Sequence, residues 1–368
     1  MEEVVSVLIP DAASSFALFT LHCLADRPNV RVHVLGQEAW PALRFSRYAS
    51  SFSYRPGRFD DPAYLDCVTD IIRQKKIDVF LPTDSDAIAF VNSNRNALKG
   101  VVAIPPLPGP EQFDIANNKW LTAQFLRTQG LPGPNTLLVS ADPGFWQALQ
   151  EMKFPVMLKP VTSRDGDGIE RFDRLADLER HLGSLEMASI AGRFLVQELI
   201  DGPVIGLNVL ARAGELLAFT IQQAVIPNSK RYSAAGAIKF IQNERFELAL
   251  RELVARLNFD GYANVDTLCD QDQQLNIIDI NARFWGSLRG SMVAGVNFPY
   301  LACLAALDIP FPLSAYHPVR YFHPKTGIKH ILHTLLGKAE LKDVAIKEVG
   351  LNYLLLDPIA EVMRAYRQ

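Results

Sequence analysis

Two aspartates thirteen positions apart, Asp266 and Asp279, lie on either side of a polar turn in GYANVDTLCDQDQQLNIIDINARFWGS (261–287). The runs flanking QDQQ are apolar and β-branched, so they read as two antiparallel strands joined by an Asp/Gln turn. In such a hairpin the two carboxylates fall nearly opposite one another on one face. Facing carboxylates repel unless a cation sits between them. Asn281 projects from the same face as Asp279, two residues on, and adds a neutral oxygen. Asp266, Asp279 and Asn281 together form a hard, all-oxygen ligand set suited to Mg²⁺ (or Mn²⁺), with phosphate oxygens completing the shell. Arg283 continues the alternation and can lay its guanidinium against those phosphates, or against a carboxylate being phosphorylated. Two solvated aspartates on an exposed sheet face are the alternative that the pair alone leaves open.

Composition decides which larger classes are compatible with that chemistry. At 368 residues, with 49% hydrophobic and 21% charged residues, the chain has the makeup of an ordinary folded protein and is too long for one small core. A net charge of -3 with no long basic run gives no electrostatic support for a nucleic-acid partner. No window is long and apolar enough to span a bilayer, and MEEVVSVLIP lacks the positive start of a signal peptide. Cys23, Cys67, Cys269 and Cys303 are widely spaced, without a CxxC pair, which argues against zinc and against a disulfide framework. A cytoplasmic protein is the expectation, with small-molecule partners and neither nucleic acid nor membrane.

The elements that must position the hairpin can be read in order. VVSVLIP, VRVHVLG and DVFLPTD read as strands, SSFALFTLHCLA and YLDCVTDIIRQKK as helices, and VVAIPPLPGP as a last strand with a stiff connection. That succession predicts a parallel α/β layer. DAASSFA follows the first strand where a dinucleotide fold would want G-x-G-x-x-G, so a pyrophosphate site is not encoded there. Beyond Glu111 come a helix from near Asn117 to Gly130, the strand FPVMLKP, and a glycine-bearing turn from Thr162 to Ile169. The helix LADLERHLGSL, the strand RFLVQELIDG, the hairpin GLNVLARAGELLAF and the helix FELALRELVARLNF follow.

Five segments in this order, NNKWLTAQFL, FPVMLKP, LVQELIDG, NVDTLCD and IIDINARFWGS, resemble the ATP-grasp superfamily, particularly its carboxylate-amine ligase and carbamoyl-phosphate-synthase-like members. The resemblance implies a mixed α/β and α+β chain, an ATP-grasp fold preceded by a parallel α/β domain. Its divisions would be residues 1–110, an ATP-grasp small subdomain 111–200, a metal-bearing subdomain 201–308 and an extension 309–368. It implies ATP as cofactor. Lys119 and Lys159 would deliver ammonium groups to its phosphates; Ser163, Gly166 and Gly168 would form a flexible lid over them. Gln197, Glu198, Leu199 and Ile200 would receive adenine through the backbone. Physical readings stand beside these roles. Lys159 could instead snorkel from its strand, Gly166 and Gly168 could belong to a plain turn, and the hinge fits an ordinary strand end. Lys230 and Arg231 lie in a loop of small residues, where they could clamp an anionic substrate or the transferred phosphoryl group, or simply be solvated.

Two departures stand out. Many such ligases hold the ribose with a glutamate where Val204 falls here, which leaves Asn208 as the expected contact. Asp165 and Asp167 place acid in the lid, and both metal-bearing residues are aspartate rather than glutamate. The implied activity is ATP-dependent joining of a small, amino-acid-like carboxylate to an amine through an acyl phosphate, with a homodimer left open. A carboxy- or carbamoyl-phosphate-forming enzyme and a decayed nucleotide-binding module are the alternatives.

Overall fold

The computed structural model describes residues 4–163, 166–226, 235–313, 315–323, 326–328, 349 and 351–367. Its described residues form three sheets. The first holds β1 (Val5–Ile9), β2 (Val30–Gly36), β3 (Ala49–Tyr54) and β4 (Val79–Phe80), all parallel, in the order β3-β2-β1-β4. Helices α1 (Ser15–Ala25), α2 (Tyr64–Lys75) and α3 (Ser85–Leu98) follow β1, β3 and β4. Val7, Leu8 and Ile9 are fully buried, as expected of a parallel strand covered on both faces.

The proline-rich end of this layer differs from the sequence expectation. DVFLPTD contributes only the two residues of β4, and VVAIPPLPGP forms no strand but a single bridge, Ala103 to Val79. Pro82, Pro105 and Pro106 lack the N–H that a ladder needs. β3 and α3 were not foreseen: ASSFSY carries three serines in six residues, and the helical pattern of α3 is weak.

The helices α4 (Pro110–Asn117) and α5 (Lys119–Gln129) lead to a second, antiparallel sheet. It contains β5 (Thr136–Leu138), β6 (Val156–Pro160), β7 (Glu170–Phe172) and β8 (Phe194–Glu198), in the order β5-β8-β6-β7. Helices α6 (Pro143–Gln150), α7 (Leu175–Gly183) and α8 (Met187–Ile190) lie between its strands in sequence. Val139, Phe145, Leu149, Val156, Leu158 and Leu178 belong to its separate core.

The third sheet holds β9 (Val204–Arg212), β10 (Glu215–Ile226), β11 (Ala237–Phe240), β12 (Gly261–Cys269), β13 (Leu275–Asn281) and β14 (Arg320–Phe322), in the order β13-β12-β9-β10-β11-β14. The β9–β10 hairpin turns at Ala213 and Gly214, with φ of 49° and 78°, the left-handed pair a two-residue turn requires. Helices α9 (Glu244–Arg256), α10 (Leu288–Val293) and α11 (Phe298–Ala306) accompany this sheet. One apolar core runs through both the parallel sheet and this one, from Val7 and Leu8 to Phe284 and Phe298. One core therefore crosses the expected division near Glu111, whereas the sheet built from residues 136–198 has a separate core.

Candidate functional site

The hairpin of β12 and β13 pairs Asp266 directly with Asp279, and Asn264 with Asn281. A bulge produces this alignment. Cys269 opposes Leu275 and Thr267 opposes Ile277, so an unbroken ladder would set Asp266 against Ile278; the extra residue brings Asp279 there instead. Bulges commonly re-aim side chains beside functional sites. The edge of β13 is covered by the loop after α5, where the Ile277 N–H donates to the Pro132 carbonyl at 3.1 Å.

The Asp266 carboxyl is pushed up to about 7, first by burial and then by the charge of Asp279. Two carboxylates held this way fit a divalent cation, since positive charge between them reverses both causes. Asn281 Nδ2 donates to Asp266 at 3.3 Å, and Asn281 Oδ1 accepts from Arg283 at 3.1 Å. That oxygen keeps a second lone pair. Among the described residues no group of three or more His, Cys, Asp or Glu side chains gathers for a metal. The available set is two carboxylates and one amide, which suits a cation that takes most of its ligands from phosphate and water.

Lys119 and Lys159 converge on the pair from other elements. Asn118 caps α5 by accepting from the Trp120 and Leu121 N–H groups, which places Lys119 in the first turn. Its ammonium reaches Asp279 at 2.9 Å and donates to the Ser163 carbonyl at 3.4 Å. As placed, Lys119 thus neutralises a carboxylate, and Ser163 enters through its backbone. Lys159, on β6, donates at 2.6 Å to Gln197 Oε1, and its pKa is lowered to about 8 chiefly by burial. The snorkelling alternative does not apply, because the residue is only 8% exposed.

Gly166 and Gly168 follow β6 with φ of 74° and 72°, and a side chain at Gly168 would press within 2.8 Å of Pro160. Only glycine suits both conditions. Asp165 and the basic pair Lys230 and Arg231 lie outside the described residues.

At the hinge, Glu198 N–H donates to the Asn135 carbonyl and Leu199 N–H to the Pro155 carbonyl, both at 3.0 Å. The Glu198 carboxylate accepts from Asn135 Nδ2 and from the Lys153 N–H. Ile200 N–H has no partner among the described residues.

Asn208 requires a correction. It is 0% exposed, and its amide is engaged by Thr220, Gln222 and Asn264. It supports a polar row across the sheet, Asn281–Asn264–Asn208–Thr220, and cannot also hold a ribose. Val204 begins β9 with 43% of its surface exposed.

Arg283 lies just past β13, its N–H turned back to the Asn281 carbonyl at 2.8 Å. Its guanidinium does more than continue the strand face. Nε is 3.8 Å from Asp84, and the group stacks 4.4 Å over Phe16 of α1. Asp84 caps α3 at the carboxyl end of the parallel sheet, where Asp11 Oδ2 accepts from Thr83 N–H, Thr83 Oγ1 and Asp84 N–H. The Phe284 N–H donates to the Thr83 carbonyl, and Tyr262 Oη donates to that of Pro82. Sequence reasoning missed Asp11, Asp84 and the Gln197 side chain. The usable signal was LPTD itself, acid at the carboxyl end of a parallel strand, where open α/β sheets bind ligands.

Comparison with known proteins identifies the domain that holds these residues. The family pattern described as ATP-grasp domain matches residues 116–287. The D-alanine–D-alanine ligase of Acidovorax ebreus is 25% identical over 221 residues, covering 54% of this chain and 65% of that protein. A probable alpha-L-glutamate ligase of Pasteurella multocida is 26% identical over 136 residues, 37% of this chain and 40% of the relative. The chain spans between 11% and 65% of the length of the curated relatives it matches. In fold it is similar to N5-carboxyaminoimidazole synthetase from Staphylococcus aureus complexed with ADP, with a TM-score of 0.70, 15% identity, and coverage of 93% of this chain and 91% of that one. The paired aspartates, the two lysines and the glycine turn all lie inside the matched segment, so the chain carries an ATP-grasp domain over residues 116–287.

Proposed function

We propose that the protein is an ATP-dependent ligase that joins a small, amino-acid-like carboxylate to an amine through an acyl phosphate, releasing ADP and phosphate. The observation that carries this reading is the convergence of Asp266, Asp279, Asn281, Lys119, Lys159 and Arg283 on one site at the junction of three sheets. Those six groups offer hard oxygens for a metal and cations for phosphate, which is the equipment phosphoryl transfer needs, since positioning and neutralisation dominate that chemistry. Asp266, Asp279 and Asn281 would hold Mg²⁺, which when bound supplies charge to neutralise phosphate oxygens. Lys159 and Lys119 would hold the phosphates, and the backbone from Glu198 to Ile200 the adenine. Arg283 would steady the carboxylate as it takes the γ-phosphoryl group. The lid from Thr162 to Ile169 would exclude water, which otherwise hydrolyses an acyl phosphate. Arg283 also faces Asp84, so the acid and the amine would be received between the ATP-grasp domain and the carboxyl edge of the parallel sheet.

Presenting pools of amino acids and dipeptides tests this reading. ADP release should rise only where both an acid and an amine are supplied. ATP cleavage that no acid stimulates would count against it.

Metal affinity should depend on pH with a definite sign. The folded pKa of Asp266, about 7, lies above its unfolded value, so between about 4 and 7 the folded protein retains a proton that the unfolded chain has lost. Stability from this group is therefore lost as pH rises through that window. A cation must displace the same proton, so Mg²⁺ affinity should fall by up to about tenfold per pH unit below pH 7. Calorimetric titration with Mg²⁺ from pH 5.5 to 8, values chosen at roughly even spacing about that pKa, measures it; a flat profile contradicts the assignment of Asp266.

A further inference from the structure

We propose that Gln197 is a positioning residue for Lys159: its amide oxygen fixes the lysine ammonium at the phosphate-facing end of β6 while leaving its full positive charge in place. The inference rests on the reading of Lys159 as a phosphate ligand.

The strand registers explain how the two side chains meet. Met157 opposes Gln197, and Lys159 opposes Leu195. Gln197 therefore stands diagonally across from Lys159 on the same face, within reach of a long side chain. Thr136 of β5 opposes Gln197 on its other flank. The contacts form a directed chain. Lys159 Nζ donates to Gln197 Oε1 at 2.6 Å, Gln197 Nε2 donates to Thr136 Oγ1 at 3.0 Å, and Thr136 Oγ1 donates to the Pro134 carbonyl at 2.9 Å. Because Nε2 is committed to Thr136, the amide is oriented with its oxygen toward the lysine. Gln197 is 3% exposed, so water does not compete for either end. A Gln side chain at the hinge contributes nothing to adenine in this arrangement; it faces the lysine.

The neutrality of the acceptor matters. A buried ammonium without an acceptor loses its proton more readily, while one on a carboxylate keeps the proton but has its charge offset. An amide oxygen stabilises the ammonium and leaves the charge for phosphate. The charged groups around Lys159 are Asp279 of β13 and Asp266 of β12, which favour the charged form, and Lys119 of α5, which opposes it; burial outweighs them. Gln197 of β8 and Thr136 of β5 add no charge of their own.

The test is calorimetric binding of ADP in EDTA, which keeps metal out of the measurement, followed from about pH 7 to 10, a window that brackets the lysine. For the wild-type protein the affinity should hold up to about pH 8 and then fall about tenfold per unit as the lysine loses its proton. In Gln197→Met, of similar length and apolar, the break should move to lower pH. In Gln197→Glu it should move to higher pH, with severalfold weaker binding below the break. Thr136→Val, which removes the tether rather than the acceptor, should shift the break in the same direction as Gln197→Met by a smaller amount. Folded variants that all break at the wild-type pH overturn the proposal. Lys159→Met separates the two claims. If it binds ADP like the wild type, the reading of Lys159 fails. If it loses binding while the Gln197 variants keep the wild-type profile, only the role of Gln197 fails.

Discussion

Asp279→Asn is expected to lower turnover by about a thousandfold or more while leaving the protein as stable as before, or more so. The substitution preserves shape and removes one negative charge from a pair that shares a face. A loss of about 4 kcal/mol of transition-state stabilisation, ordinary for disabling a metal site, corresponds to about that factor. Stability should respond in the opposite sense. The Asp279 charge is one of the causes that raise the Asp266 pKa, so its removal relieves repulsion, offset by the loss of the Lys119 contact at 2.9 Å. Turnover and Tm measured on the same preparation check both parts. Near-normal turnover in a folded Asp279→Asn protein would contradict the metal assignment.

Arg283→Met is expected to cost about a hundred- to a thousandfold in kcat, with the KM for ATP changed much less. The guanidinium bridges Asn281, at the end of β13, and Asp84, the cap of α3, which on the proposed reading is where the acid, and not the nucleotide base, binds. An interaction realised mainly in the transition state lowers kcat rather than raising KM. Arg283→Lys should recover little. A lysine presents a point charge and cannot reproduce the planar fork that meets both partners and stacks on Phe16. Steady-state kinetics of the two variants measure the split; a pure rise in the KM for ATP would move Arg283 to the nucleotide instead.

How much of this site was legible before the fold was known depends on the range of each interaction. Asp266 and Asp279 could be paired because a short polar turn joins their strands, and hairpin registry is a local property. Even there, the side-by-side placement depends on the bulge at Ile278, which no pattern in LNIIDIN announces. The capping of α5 by Asn118 and its stop at Gly130 were likewise local, written in residues adjacent in sequence. Asn208 was misjudged because an asparagine two positions beyond Gly206 reads the same whether it faces a ligand or a neighbouring strand. Only the register with Thr220 and Asn264 shows that its amide is already engaged. Asp84 and Arg283 meet through the packing of two sheets distant in sequence, and Gln197 reaches Lys159 by a diagonal between strands; neither contact has a spacing signature. The proline-rich VVAIPPLPGP failed as a strand for a reason that was available, its missing N–H groups.

On the proposed reading a carboxylate attacks the terminal phosphate of ATP. The most direct test supplies the acid that stimulates ADP release with ¹⁸O in its carboxylate, together with its amine, and follows the label by mass spectrometry of the phosphate. An acyl-phosphate path transfers one carboxylate oxygen to inorganic phosphate in each turnover, so labelled phosphate and unlabelled ADP are the predicted result. Label found in AMP, or phosphate released without label while the ligated product forms, would contradict the account.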